Sequence, residues 1–314
     1  MSAALVAVVL SLVLDHLAPA AQRLRQHDRV AALLREALEG LGRQSGLSAP
    51  WGWVLVLALP LLVLAGLQWW LSLWLYGLPG FLLQLAVLFL CWGPRDLDLD
   101  VEALASAPDA DARRQALVEL SEGCVDCAAS GTPLVHTVFR QGLSRWFGVL
   151  FWFLLLGAFG ALMYRLAQLA ARERDAAPGA QREPLRQFAL LLDWAPAQLM
   201  CLALALAAHF DAVLAAWRDW HAGRGQGWFV LDLGFLDAAA RASVREELIE
   251  DALDEGLPPP SEVEVAGDEA SLVGTAAIPA GALRELRDAM SLVWRVLLVW
   301  LSVLALFVLA GYVG

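Results

Sequence analysis

The chain contains no lysine, so its 22 basic residues are all arginine, and between Arg43 and Arg95 it carries no charged side chain of either sign. Over the whole chain only 18% of residues are charged while 59% are hydrophobic, a balance more apolar than that of a water-soluble domain. Hydrocarbon offers no hydrogen bonds, so a long uncharged run in a bilayer must satisfy its backbone internally, which excludes irregular chain and requires helix. The run 44–94 exceeds twice the ~20 residues that one crossing needs. Tyr76-Gly77-Leu78-Pro79-Gly80 interrupts it as a turn, and the run is predicted to form a helical hairpin over residues 51–75 and 81–92.

Catalytic signatures are absent as well. There is no Gly-rich phosphate loop, no Gly-x-Ser-x-Gly and no His-Glu-x-x-His. Four cysteines and five histidines leave little for a metal site. Cys124-Val125-Asp126-Cys127 has half-zinc spacing but no second pair, and Cys91 and Cys201 lie in apolar segments, where cysteine acts as a small hydrophobe. His136 would extend a cysteine set, yet the histidines show no ligand spacing, so no metal and no cofactor is expected. A net charge of −11 excludes a nucleic-acid surface.

What is present is more apolar chain. Residues 146–164, 194–208 and 296–314 are uncharged. The second of these is short, suiting a re-entrant or bundle-buried helix as well as a crossing, with Pro196 in a first turn or at a kink. Residues 1–14 are apolar but lack a basic flank and an Ala-x-Ala cleavage site before Asp15, and read as a short membrane helix. The fourteen tryptophans mainly bracket these runs, as interfacial anchors do. The fold class expected is all-α: a polytopic helical membrane protein with cytoplasmic amphipathic helices. The domains read as a membrane core over residues 1–217, a polar acidic segment over 218–288 and a C-terminal transmembrane helix over 289–314.

Arginines give the orientation. Arg23, Arg25, Arg29, Arg35 and Arg43 precede the hairpin and Arg95, Arg113, Arg114, Arg140 and Arg145 follow it, so both loops are expected in the cytoplasm, with the hairpin tip and both termini outside. Arg172, Arg174, Arg182 and Arg186 object, because five or six successive crossings would place them outside. One of the two flanking apolar segments, 146–164 or 194–208, then need not cross. The acids Glu246, Glu247, Glu250, Asp251, Asp254 and Glu255 form a solvated helix face stopped by Gly256 and Pro258-Pro259-Pro260. Residues 97–120 read as one or two amphipathic helices across Pro108-Asp109.

Charges at the edges of membrane segments are costly, on the order of 3 kcal/mol at the bilayer centre. Asp15, Arg165 and Asp193 each interrupt an apolar stretch. An Arg165–Asp193 or Arg165–Asp15 pair would offset that cost; the alternative is that all three lie at interface depth, snorkelling or capping helices.

Phe151-Trp152, then Gly157-Ala158-Phe159-Gly160-Ala161-Leu162-Met163-Tyr164-Arg165, then Leu191-Leu192-Asp193-Trp194-Ala195-Pro196-Ala197-Gln198-Leu199 resemble two central motifs of the AmpE and CobD/CbiB superfamily. Residues 101–104 and 112–117 resemble the amphipathic helix pair before those motifs, so the resemblance spans most of residues 1–217. One branch holds the membrane-bound synthase that joins cobyrate to an amino alcohol in an ATP-dependent amide-forming step of the cobalamin pathway. The other, AmpE, is an inner-membrane protein associated with regulation of β-lactamase induction and with peptidoglycan recycling.

The polar positions separate the branches. Where the synthase has a Glu-Asn-Thr-Ser-Asp-Gly-like run, this chain reads Arg140-Gln141-Gly142-Leu143-Ser144-Arg145, with His136 near the place of an upstream acid. The synthase's acidic pair falls on Ala189 and Leu190, and its Asn-x-Ile-Pro-Ala-Arg motif has become Asp193-Trp194-Ala195-Pro196-Ala197-Gln198. Carboxylates are what would hold Mg²⁺ on a nucleotide, and the Asp-Trp-x-Pro form resembles AmpE. The resemblance therefore implies a non-catalytic, multi-pass protein of the bacterial inner membrane, with the lipid bilayer and a protein of cell-wall recycling as partners. Its expected pocket is lined by Asp15, Arg140, Arg145, Arg165, Gln168, Asp193 and Gln198, suited to an anionic ligand, a muropeptide or a lipid head group. The alternatives are the ATP-dependent synthase and a small-molecule transporter.

Overall fold

The computed structural model describes residues 27–43, 50–72, 78–93, 97–121, 134–223, 231–254 and 280–310. Among them there is no strand, and the chain is an all-α membrane protein. The α-helices, in chain order, are α1 (His27–Arg43), α2 (Gly52–Ser72), α3 (Leu78–Cys91), α4 (Leu97–Ala105), α5 (Ala110–Leu120), α6 (Leu134–Gly142), α7 (Gly148–Leu156), α8 (Ala158–Arg172), α9 (Gly179–Ala207), α10 (Phe210–Gly223), α11 (Gly234–Asp254) and α12 (Ala280–Leu309). Residues 1–14, Asp15 and the Cys124/Cys127 pair lie outside the described residues.

The chain divides into two compact units. The first holds residues 1–94, 144–196 and 303–314, and the second residues 95–143 and 197–302.

In the first unit, α2 and α3 are the limbs of the expected hairpin. Among the described residues of both units, three helical stretches are long and apolar enough to cross a membrane: Gly52–Leu71, Gly179–Ala207 and Arg284–Leu306. Only 11% of the first is buried, against 56% of the second. Leu55, Leu59, Leu62, Val63 and Trp69 stand exposed along α2, a face that only lipid would cover favourably. The arginine-bearing stretch read as a loop is partly the helix α1, which buries Leu34 and Leu38 and leaves Arg29 and Arg35 outward; Arg35 reaches Glu173 at 2.6 Å.

Two expectations change. Residues 146–164 do not form one helix. A π-helical turn at Leu143–Phe147 leads into α7, which ends at Gly157, with φ +67° and ψ −152°. Only glycine adopts that conformation readily. The chain then doubles back: a Cβ added at Gly160 would lie 2.2 Å from the Trp152 carbonyl oxygen, and one at Gly148 would lie 2.2 Å from the Tyr164 ring. Eight residues apart along a straight helix would be ~12 Å. For residues 194–208, the helix is longer than the uncharged run, and of the two places expected for Pro196, a first turn or a kink, the first turn is the one not taken. The run continues a helix that starts at Gly179, so Pro196 sits in the interior.

In the second unit, α4 and α5 are the two amphipathic helices expected on either side of Pro108. Asp109 caps α5 by accepting from the Ala112 amide at 2.7 Å. The acidic stretch extends α11, which packs on α10 and α6 through buried Phe235, Leu236, Ala239 and Ala240.

Candidate functional site

In the first unit the α7–α8 hairpin meets α9. An i, i+4 pair on α8, Tyr164 and Gln168, converges on one oxygen of Asp193: the tyrosine hydroxyl donates to Oδ1 at 2.6 Å and the Gln168 amide donates to the same atom at 2.8 Å. Both donors are buried, and so is Asp193. Gly148 has no side chain to block the Tyr164 ring, so the ring crosses α7 to reach the carboxylate.

One residue before Asp193, the Leu192 carbonyl accepts from the Trp152 indole at 3.0 Å. Pro196, four residues on, has no N–H to give that carbonyl. Trp152 supplies the missing donor from α7, so the Trp152 and Asp193-Trp194-Ala195-Pro196 motifs are brought into contact.

Arg165 follows Tyr164 and is 2% exposed, and its Nε, Nη1 and Nη2 find no hydrogen-bond partner among the described residues. The expected Arg165–Asp193 pair does not form; Tyr164 and Gln168 donate to Asp193 Oδ1, and Arg165 donates to neither of its oxygens. Arg145 lies in the π-helical turn and is fully buried. Its aliphatic stem passes Gly93 so closely that an added Cβ there would sit 2.9 Å from the Arg145 Cβ.

In the second unit, Arg140 on α6 grips Asp237 of α11 through both carboxylate oxygens, with Nε to Oδ1 at 2.9 Å. One turn earlier, His136 Nε2 faces the Arg241 guanidinium at 3.1 Å. Burial holds the His136 imidazolium below its usual range; Asp237 opposes that shift, while Arg241 and Arg140 reinforce it. Gln198 accepts from the Trp217 indole at 3.1 Å, joining α9 to α10. Of the seven expected pocket residues, Arg145, Arg165, Gln168 and Asp193 thus belong to the first unit, and Arg140 and Gln198 to the second, where each joins two helices. Asp15 is outside the described residues.

Tyr164, Trp152 and Gly148 were not expected in the site. The signal for Tyr164 was its i, i+4 spacing with Gln168 on an apolar helix; for Trp152 it was the carbonyl that an interior proline leaves without a donor. Gly148 gave no signal in sequence. Cys91 and Cys201 are buried free thiols, and among the described residues no group of three or more His, Cys, Asp or Glu is placed to hold a metal ion.

No family model and no solved structure matches the chain. Two curated proteins are similar to it. The cobalamin biosynthesis protein CobD of Stutzerimonas stutzeri is 31% identical over 212 residues, covering 63% of this chain and 63% of that protein. The cobalamin biosynthesis protein CobD of Chromobacterium violaceum is 29% identical over 176 residues, covering 52% of this chain and 54% of its own length. The chain therefore spans less than two thirds of the length of the curated relatives it matches. These relatives support the CobD/CbiB superfamily; they do not support the AmpE branch over the cobalamin branch.

Proposed function

We propose that the chain is a CobD-like membrane protein that binds an anionic ligand in a sensing or signalling role, as the AmpE resemblance implies, without ATP-dependent amide synthesis. The observation that carries this reading is the use of Asp193. It is the one carboxylate in the central motif, and two buried donors converge on its Oδ1, so it fastens α8 to α9 where a synthase would need carboxylates open to Mg²⁺. The positions of the synthase's other acids hold Ala189, Leu190 and arginines.

A second reading is favoured by a specific finding. Both relatives are named for cobalamin biosynthesis, and that supports a membrane-bound step of the cobalamin pathway better than it supports a link to β-lactamase induction and peptidoglycan recycling. By the comparisons alone the cobalamin reading comes first; by the polar positions the non-catalytic one does.

A thermal-shift series on the detergent-purified chain separates them, because a ligand that prefers the folded state raises its stability by mass action. Stabilisation by ATP with Mg²⁺, or by cobyrate-type corrinoids, establishes the cobalamin reading and removes the non-catalytic one. The expected result is stabilisation by muropeptide or anionic lipid without any effect of ATP and Mg²⁺.

A further inference from the structure

Arg165 is the most exceptional charge in the first unit. A guanidinium carries five N–H donors, stays charged at any physiological pH and is rarely buried without an acceptor. Here all three nitrogens are buried with no hydrogen-bond partner among the described residues. Among the described residues, the groups that act on it electrostatically are Cys91, Tyr164 and Arg145, none of them a carboxylate. The nearby acid, Asp193, has Oδ1 committed to Tyr164 and Gln168. A second guanidinium, fully buried Arg145, adds to the positive potential instead of relieving it.

Leaving such a group in place destabilises a fold, whereas an apolar side chain of similar volume would not. An ionisable residue buried within membrane helices is by default a functional one. We propose that Arg165 binds the phosphate group of an anion, with Arg145 supplying additional positive field. Phosphate fits better than carboxylate because it presents three oxygens and up to two negative charges to a planar fork beside a second cation. The same chemistry is offered by the head group of an anionic phospholipid and by a water-soluble phosphomonoester. The inference rests on the anion-binding part of the proposed function and names its ligand class and principal residue.

The test uses the full chain in two arms. In detergent, inorganic phosphate and glycerol 3-phosphate are titrated against the melting temperature; in nanodiscs, phosphatidylglycerol is compared with phosphatidylcholine. Wild type is expected to gain about 5 °C at a hundredfold excess of ligand over Kd, and the arm in which this occurs identifies the source. Arg165→Met should melt no lower than wild type without anion and lose the gain. Arg165→Lys keeps the charge but not the fork, and should bind about tenfold more weakly. No gain in either arm overturns the proposal, as does a gain that survives in Arg165→Met. Should Arg165→Met fail to fold, an undiminished gain in Arg165→Lys overturns it equally. Muropeptide stabilisation that both variants retain would leave the function reading standing and remove Arg165 from it, whereas corrinoid stabilisation would remove the function reading itself.

Discussion

Pro196 has no amide hydrogen, so inside α9 it takes from the Leu192 carbonyl the donor that a regular helix would provide. The Trp152 indole fills that role at 3.0 Å, and a proline that would otherwise weaken α9 becomes the point at which α7 attaches. Trp152→Phe keeps an aromatic ring but leaves a carbonyl without a donor, which costs about 1–3 kcal/mol. In a Pro196→Ala background the restored amide can serve Leu192, and the same substitution should cost less by about 1 kcal/mol. Melting temperatures of the four proteins in one detergent measure this coupling. Equal costs of Trp152→Phe in both backgrounds would mean that the indole hydrogen bond contributes nothing to stability.

Elements were legible where their signals are local. The hairpin at 51–92, the break at Pro108-Asp109 and the acidic stretch on α11 follow from runs of charge and from turn residues, which act over a few positions. The pairing between α6 and α11 was not legible, since Arg140 and Asp237 are 97 positions apart and nothing local to either marks the other. Their facing turns place His136 among Arg140 on its own helix and Asp237 and Arg241 on α11. Because burial holds the folded-state His136 below its unfolded value, the unfolded chain takes up its proton first as pH falls. The stability this neutral imidazole contributes is therefore complete above about pH 6.5 and declines as pH drops below it toward the folded-state value. Melting temperature measured from pH 7.5 to 5 should fall less steeply in His136→Gln than in wild type, and identical slopes would contradict the assignment.

At the scale of the whole molecule, the sequence left one conflict: arginines at 172, 174, 182 and 186 on what alternating crossings would make the outer face. The α7–α8 hairpin removes it. With 9 and 15 residues, its limbs are ~13 and ~22 Å long, and neither spans the ~30 Å hydrocarbon layer alone. A chain that turns back at Gly157 is expected to leave the bilayer on the side it entered, which would put Arg172 to Arg186 on the same side as Arg145. The ion pair between Arg35 of α1 and Glu173 would join the first arginine-rich stretch to that same side, in keeping with the positive-inside rule. Composition could not show this, because a reversal at a single glycine leaves the 146–164 run as uncharged as a crossing would. The test is labelling with a membrane-impermeant maleimide in a background with cysteines 91, 124, 127 and 201 replaced by alanine. Asp175→Cys, whose native side chain is 85% exposed, should react only after the cells are lysed. Gly80→Cys, in the first turn of α3 with open space around its Cβ, should react in intact cells. Labelling of Asp175→Cys in intact cells would show that residues 146–164 cross once, and that the arginine segment lies outside despite its charge.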